Sequence, residues 1–129
     1  MTAGYAWAEA PARCLMALLF LVSATTKVTE TAAIQAYMHA YGVPEWLVWP
    51  AAAWEYAAGA LLLIGSYIRP VSVLLAGWCV LTASIFHTEF SSLDQLMNFF
   101  KNMTMAGAFL TLAKSGSWRA SIDARTRAE

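Results

Sequence analysis

The sequence predicts an all-α integral membrane protein, a transmembrane antiparallel four-helix bundle with a short interfacial helix between helices 1 and 2. Three observations predict it. Four apolar stretches, at 10–27, 45–66, 70–87 and 96–114, are each about 18–22 residues long, the length a helix needs to cross ~30 Å of hydrocarbon at ~1.5 Å per residue. The chain of 129 residues is 60% hydrophobic and 12% charged, against roughly 45–50% and about 25% in soluble domains. The connections are short, which favours helices running up and down beside their sequence neighbours. The length suits one membrane domain over 1–129.

The first stretch opens after Pro11, a residue tolerated in a first helical turn, and ends near Lys27. It lacks the marks of a cleaved leader: Met1 to Ala12 carries only Glu9 and no cation, and Ser23-Ala24-Thr25-Thr26-Lys27 is not a cleavage site. It reads as a retained helix. Ile34, Tyr37, Met38 and Tyr41 then recur at helical spacing within 29–41, which describes a short amphipathic helix lying at the membrane interface, ended by Gly42-Val43-Pro44. The second stretch begins at Glu45 with Trp46 and Trp49, aromatic anchors for the headgroup level. Pro50 marks either its start or a kink. Gly65 to Pro70 is a tight turn into the third stretch, and Thr88 to Gln95 is a polar loop before the fourth. Ser115-Gly116-Ser117 closes the fourth, and Trp118 to Glu129 is a polar, frayed cytoplasmic tail.

Small residues let helices approach closely in lipid, where no hydrophobic force drives them together. Ala53, Ala57, Ala58, Gly59 and Ala60 offer such a stripe on the second stretch, and Gly77 and Gly107 offer it on the third and fourth. Four crossings place Arg13, Arg69, Lys114, Arg119, Arg125 and Arg127 on one side. The other side holds Glu30, His39, Glu45, Glu89 and Asp94, with Lys27 and Lys101 near the boundary. This Lys/Arg bias puts both termini in the cytoplasm.

Several functions are disfavoured. A net charge of zero leaves no electrostatic footprint for a nucleic acid. Cys14 and Cys79 form no CxxC pair and fall at different depths, so neither a dithiol centre nor a disulfide is expected. His39 and His87 lie in different segments without i, i+4 spacing, so neither metal nor haem is expected.

Glu55 is the sharpest residue. It lies about ten residues into the second stretch, or ~15 Å down its axis. A carboxylate there must be paired, hydrogen-bonded or protonated. The partners expected at similar depth are Lys27, His87, Lys101 and Asn102, with further hydrogen bonds from Thr25, Thr26, Ser84 and Thr104. Two readings stand side by side. A Glu–Lys pair can simply fix which helices pack, with a lysine snorkelling to headgroups. Alternatively, the set forms a polar pocket near the outer face that binds a small molecule or moves protons. The aromatic residues suit a quinone ring and lipid contact alike.

An ordered set of motifs resembles the DoxX family of membrane proteins over about residues 12–114. Phe20, Ser23 and Lys27 fit its first-helix signature F-x-x-S-G-x-x-K, with Ala24 in place of the glycine. Ala36-Tyr37-Met38 before Gly42-Val43-Pro44 resembles its short helix. Glu55, Ala58-Gly59 and Leu61 to Gly65 resemble its second helix, E-x-x-x-G-x-L-L-L-x-G, and Arg69 its following basic residue. Phe86-His87, Gln95 and Lys101-Asn102 resemble the His of helix three and the Lys-Asn of helix four. The resemblance implies a multi-pass protein of the bacterial or archaeal cytoplasmic membrane. The family's namesakes are associated with quinone-linked sulfur oxidation, as subunits of a thiosulfate:quinone oxidoreductase.

The first expectation is therefore an oxidoreductase subunit with a quinone pocket. Glu55 would exchange protons, Lys27 or Lys101 would stabilise negative charge on the ring oxygens, and His87 or Asn102 would bond a carbonyl oxygen. The second is non-enzymatic: a membrane scaffold or assembly subunit docking other membrane proteins of a larger complex. A small-solute transporter fits less well, because four helices leave little room for alternating access and no inverted repeat is visible.

Overall fold

The computed structural model describes residues 8–115 and 122–126. These residues form helices and connecting turns: α1 (Glu9–Thr29), α2 (Thr31–Ala40), a 3₁₀ turn (Glu45–Leu47), α3 (Val48–Ile64), α4 (Ile68–Phe86), α5 (Leu93–Ser115) and α6 (Ile122–Thr126). They fall into two compact units. One holds α1, α2, the 3₁₀ turn, α3 and α6; the other holds α4 and α5.

Three helical segments are long and apolar enough to cross a membrane: Glu9–Thr29, Glu45–Ile64 and Ile68–Phe86. The fourth expected span, 96–114, lies within α5, which has the length but is not among them. Asp94, Gln95, Asn98, Lys101 and Asn102 dilute the apolar character of its first half. The buried residues of α5, Ala106, Phe109 and Leu112, all lie in its second half.

In the first unit α1 packs on α3. Arg13, Ala17, Phe20 and Ala24 make one buried face of α1, and Val48, Ala52, Glu55, Ala58, Gly59 and Leu62 one face of α3. Gly59 sets the closest approach. A Cβ built there would lie 2.9 Å from Leu21 Cδ2 and 3.3 Å from the Ala17 carbonyl oxygen. The small-residue stripe is thus narrower than its composition suggests, because Ala53, Ala57 and Ala60 are exposed. Gly77 and Gly107 are not contact points either; a Cβ on each would meet nothing within 4 Å.

The same C-terminal motif ends α2 and α3. Gly42 (φ +71°) and Gly65 (φ +76°) adopt the left-handed conformation. Around them the N–H groups of Val43 and Ser66 reach back to the carbonyls of Met38 and Leu61, and those of Gly42 and Gly65 to His39 and Leu62. Paired bonds of this kind satisfy the last carbonyls of a helix, and glycine adopts the required φ without a Cβ clash. Pro50 is the third residue of α3, so it belongs to the helix start and not to a kink. Met38 anchors α2 by burial, while the Tyr37 and Tyr41 rings meet at a tilt with centroids 4.9 Å apart. Trp46 and Trp49 are exposed, as headgroup anchors would be.

The tail departs from expectation. Trp118 lies outside the described residues, as do Arg119 and Arg127. Ile122–Thr126 is not frayed but forms α6. Asp123 Oδ1 accepts the Tyr67 N–H (3.0 Å), and the Asp123 N–H donates to the Gly65 carbonyl (3.1 Å). These bonds hold the turn after α3, where Tyr67 has a φ of +52°.

In the second unit α4 packs on α5; the buried residues of α4 are Ile68, Val71, Ser72, Leu75, Ala76, Cys79 and Ala83, and those of α5 lie in its second half. The turn between them carries Phe90, which meets Phe99 edge-on with centroids 5.2 Å apart. Both cysteines, Cys14 and Cys79, are free thiols.

Candidate functional site

The strongest polar arrangement lies in the first unit, between α1 and α3. Ser23 and Lys27 are four residues apart on α1 and so share a face. Glu55 projects from α3 one turn before Gly59, where the helices come closest. The Lys27 ammonium donates to Glu55 Oε2 (2.9 Å), Glu55 Oε1 (3.1 Å) and Ser23 Oγ (2.8 Å). The Glu55 side chain is 4% exposed and that of Lys27 19%. The aliphatic stem of lysine thus carries its cation from the end of α1 to a carboxylate buried within an apolar segment.

An ammonium has three N–H donors, and Lys27 faces three acceptor atoms. A ligand oxygen reaching Lys27 would therefore have to replace one of them, and Ser23 is the uncharged one. The pair also offers a proton donor and acceptor in contact, so transfer of one proton would neutralise both groups without moving a helix.

A second hydrogen-bond chain runs beside the pair. Tyr56 donates to Thr25 Oγ1 (2.8 Å), which donates to the Leu21 carbonyl (2.7 Å). Thr26, Ser84 and Thr104 bond the carbonyls of Val22, Val80 and Phe100, each on its own helix, and all three hydroxyls are exposed. They are occupied locally, as mid-helix hydroxyls often are. Ser23, which the periodicity reading passed over, is the hydroxyl on the lysine; only its place in the first-helix signature marked it.

The other candidate residues lie in the second unit. His87, at the end of α4, is half-buried, and its Nδ1 lies 2.9 Å from Gln95 Oε1. Asn102 Nδ2 donates to the Asn98 carbonyl (3.0 Å) on its own helix. Lys101 is exposed, and no hydrogen bond or ion pair joins it to the described residues. His39 faces Glu45 at 3.3 Å on an exposed surface, an ion pair only when the imidazole is protonated. Arg13, read from the sequence as a charge marking a membrane side, is 3% exposed in the folded chain. Among the described residues no three His, Cys, Asp or Glu side chains come together as a metal-binding group.

Comparison with known proteins places these features in a wider setting. A sequence profile of the DoxX family matches residues 9–88, which include Ser23, Lys27, Glu55 and His87. Inner membrane protein YqjF of Escherichia coli K12 is 38% identical over 112 residues, covering 87% of this chain and 86% of that protein. Inner membrane protein YphA of the same organism is 31% identical over 121 residues, covering 88% and 86%. No solved structure matches the chain. With a profile match over more than half the sequence and two relatives aligned along most of their length, the chain belongs to the DoxX family.

Proposed function

We propose that this protein is an integral subunit of a quinone-linked oxidoreductase system in a bacterial inner membrane, with a polar pocket near the outer face built on Lys27 and Glu55. The observation that carries the reading is the ion pair itself: a carboxylate and an ammonium 2.9 Å apart inside apolar, membrane-length helices. Charges at such depth are costly and commonly mark ligand or proton pathways. The names of YqjF and YphA, inner membrane proteins, support the location. The Lys/Arg bias supports both termini in the cytoplasm and α5 as a fourth crossing.

The donor set fits a quinone. Lys27 and Ser23 offer N–H and O–H donors to a carbonyl oxygen, and Glu55 offers an oxygen that accepts or returns a proton. A bound quinone would supply electron and proton uptake, which no side chain of the site performs. In this reading Lys27 holds negative charge on a ring oxygen. Other membrane protein subunits supply or accept the electrons.

One observation favours a second reading. The Lys27 ammonium is already matched by three acceptors, which is what a pair serving only to fix α1 against α3 requires. The protein would then be a scaffold or assembly subunit. Gentle purification from native membranes separates the two. Co-purified quinone, with an absorbance change on reduction, is the expected result; a stoichiometric protein partner without quinone supports the scaffold.

A further inference from the structure

The hydrogen bond between His87 and Gln95 has a chemical consequence. Gln95 lies three residues after Ser92, whose carbonyl accepts the Leu96 N–H and so opens α5. Ser-x-x-Gln at a helix start is a capping-box spacing, in which the glutamine side chain ordinarily reaches back to the N–H of the serine. Gln95 does not do this. The Ser92 N–H is satisfied by the Glu89 carbonyl (3.0 Å), and the Gln95 side chain presents Oε1 to His87 Nδ1 at 2.9 Å. An amide oxygen only accepts, so with Oε1 turned to the ring the contact pairs with a proton on Nδ1. In a neutral imidazole the other nitrogen, Nε2, then carries the lone pair. No described residue bonds Nε2, and the atom is not sealed in the interior.

We propose that Gln95 is a positioning residue that fixes His87 in the Nδ1–H tautomer, leaving Nε2 as an acceptor for a ligand hydroxyl, such as that of a reduced quinone. The ligand class rests on the pocket reading above; the tautomer does not. In free imidazole side chains the Nε2–H form is the commoner one, so the assignment opposes the default.

The test uses the full chain, labelled with nitrogen-15, in nanodiscs at alkaline pH where the imidazole is neutral. The molecule has two histidines, and His39→Gln assigns the spectrum. Wild-type His87 should show the Nδ1–H pattern. Gln95→Leu should shift it toward Nε2–H, and Gln95→Glu, which retains an acceptor oxygen, should restore Nδ1–H. A merely structural Gln95 would lower stability without moving the tautomer. An Nε2–H pattern in the wild type overturns the proposal whether or not the variants fold, as does a Gln95→Leu spectrum unchanged from wild type. Reduced decylubiquinone should then move the Nε2 resonance. Binding of this quinol that leaves Nε2 unmoved overturns the acceptor role. Absence of quinol binding to a protein with the Nδ1–H pattern overturns the pocket reading and leaves the positioning role standing.

Discussion

Lys27 and Glu55 are each unfavourable alone in an apolar segment and acceptable together. Removing one partner leaves an uncompensated charge, which costs about 3–5 kcal/mol for a buried pair, whereas replacing both by apolar residues is often neutral or stabilising. Because Lys27 keeps 19% exposure, the lower end of that range applies. Lys27→Met should therefore reduce thermal stability in detergent markedly, and Lys27→Met with Glu55→Leu should recover it. A double variant that melts no higher than Lys27→Met would contradict this account of the pair. Glu55 was legible in the sequence because a carboxylate ten residues into an apolar run is costly unless a partner meets it. Lys27 was legible because its stem reaches from the helix end. Ser23 and Gln95 were less so: a serine in a helix ordinarily bonds its own backbone, and a glutamine near a helix start ordinarily caps it.

Helix pairing depends on one glycine more than on a stripe of small residues. Gly59→Ala puts a Cβ against the flexible Leu21 side chain and 3.3 Å from the Ala17 carbonyl oxygen, which is backbone and must give way. Overpacking of this kind costs about 1–3 kcal/mol. A lower melting temperature should follow for Gly59→Ala, with Gly77→Ala unchanged; equal melting of all three proteins would refute the close approach. The turn after α3 carries a separate prediction. Asp123→Ala removes the acceptor of the Tyr67 N–H, so exchange of that amide with solvent should accelerate, and unchanged exchange would show that α6 does not hold the turn. Three candidate spans, the turns and the short helix α2 were readable from apolar run length, Gly42, Gly65 and the aromatic spacing. Which alanines face inward was not, because α3 is apolar all round and offers no moment to orient it. The α6 contact was unreadable because a polar tail with few apolar residues carries no periodic signal.

For the whole molecule the open quantity is the number of crossings. Three segments qualify by length and apolarity, and α5 becomes the fourth only if its polar first half is sheltered from lipid. The Lys/Arg distribution predicts that it crosses. A reporter fused to the C-terminus should then be cytoplasmic, and a reporter on the opposite side from the N-terminus would leave three crossings. The most direct measurement is quinone binding by the purified protein in nanodiscs, compared between wild type and Glu55→Gln. The substitution preserves shape and removes the carboxylate. Glu55→Gln should insert and fold but lose quinone binding, and undiminished binding by that variant would refute the role of the carboxylate.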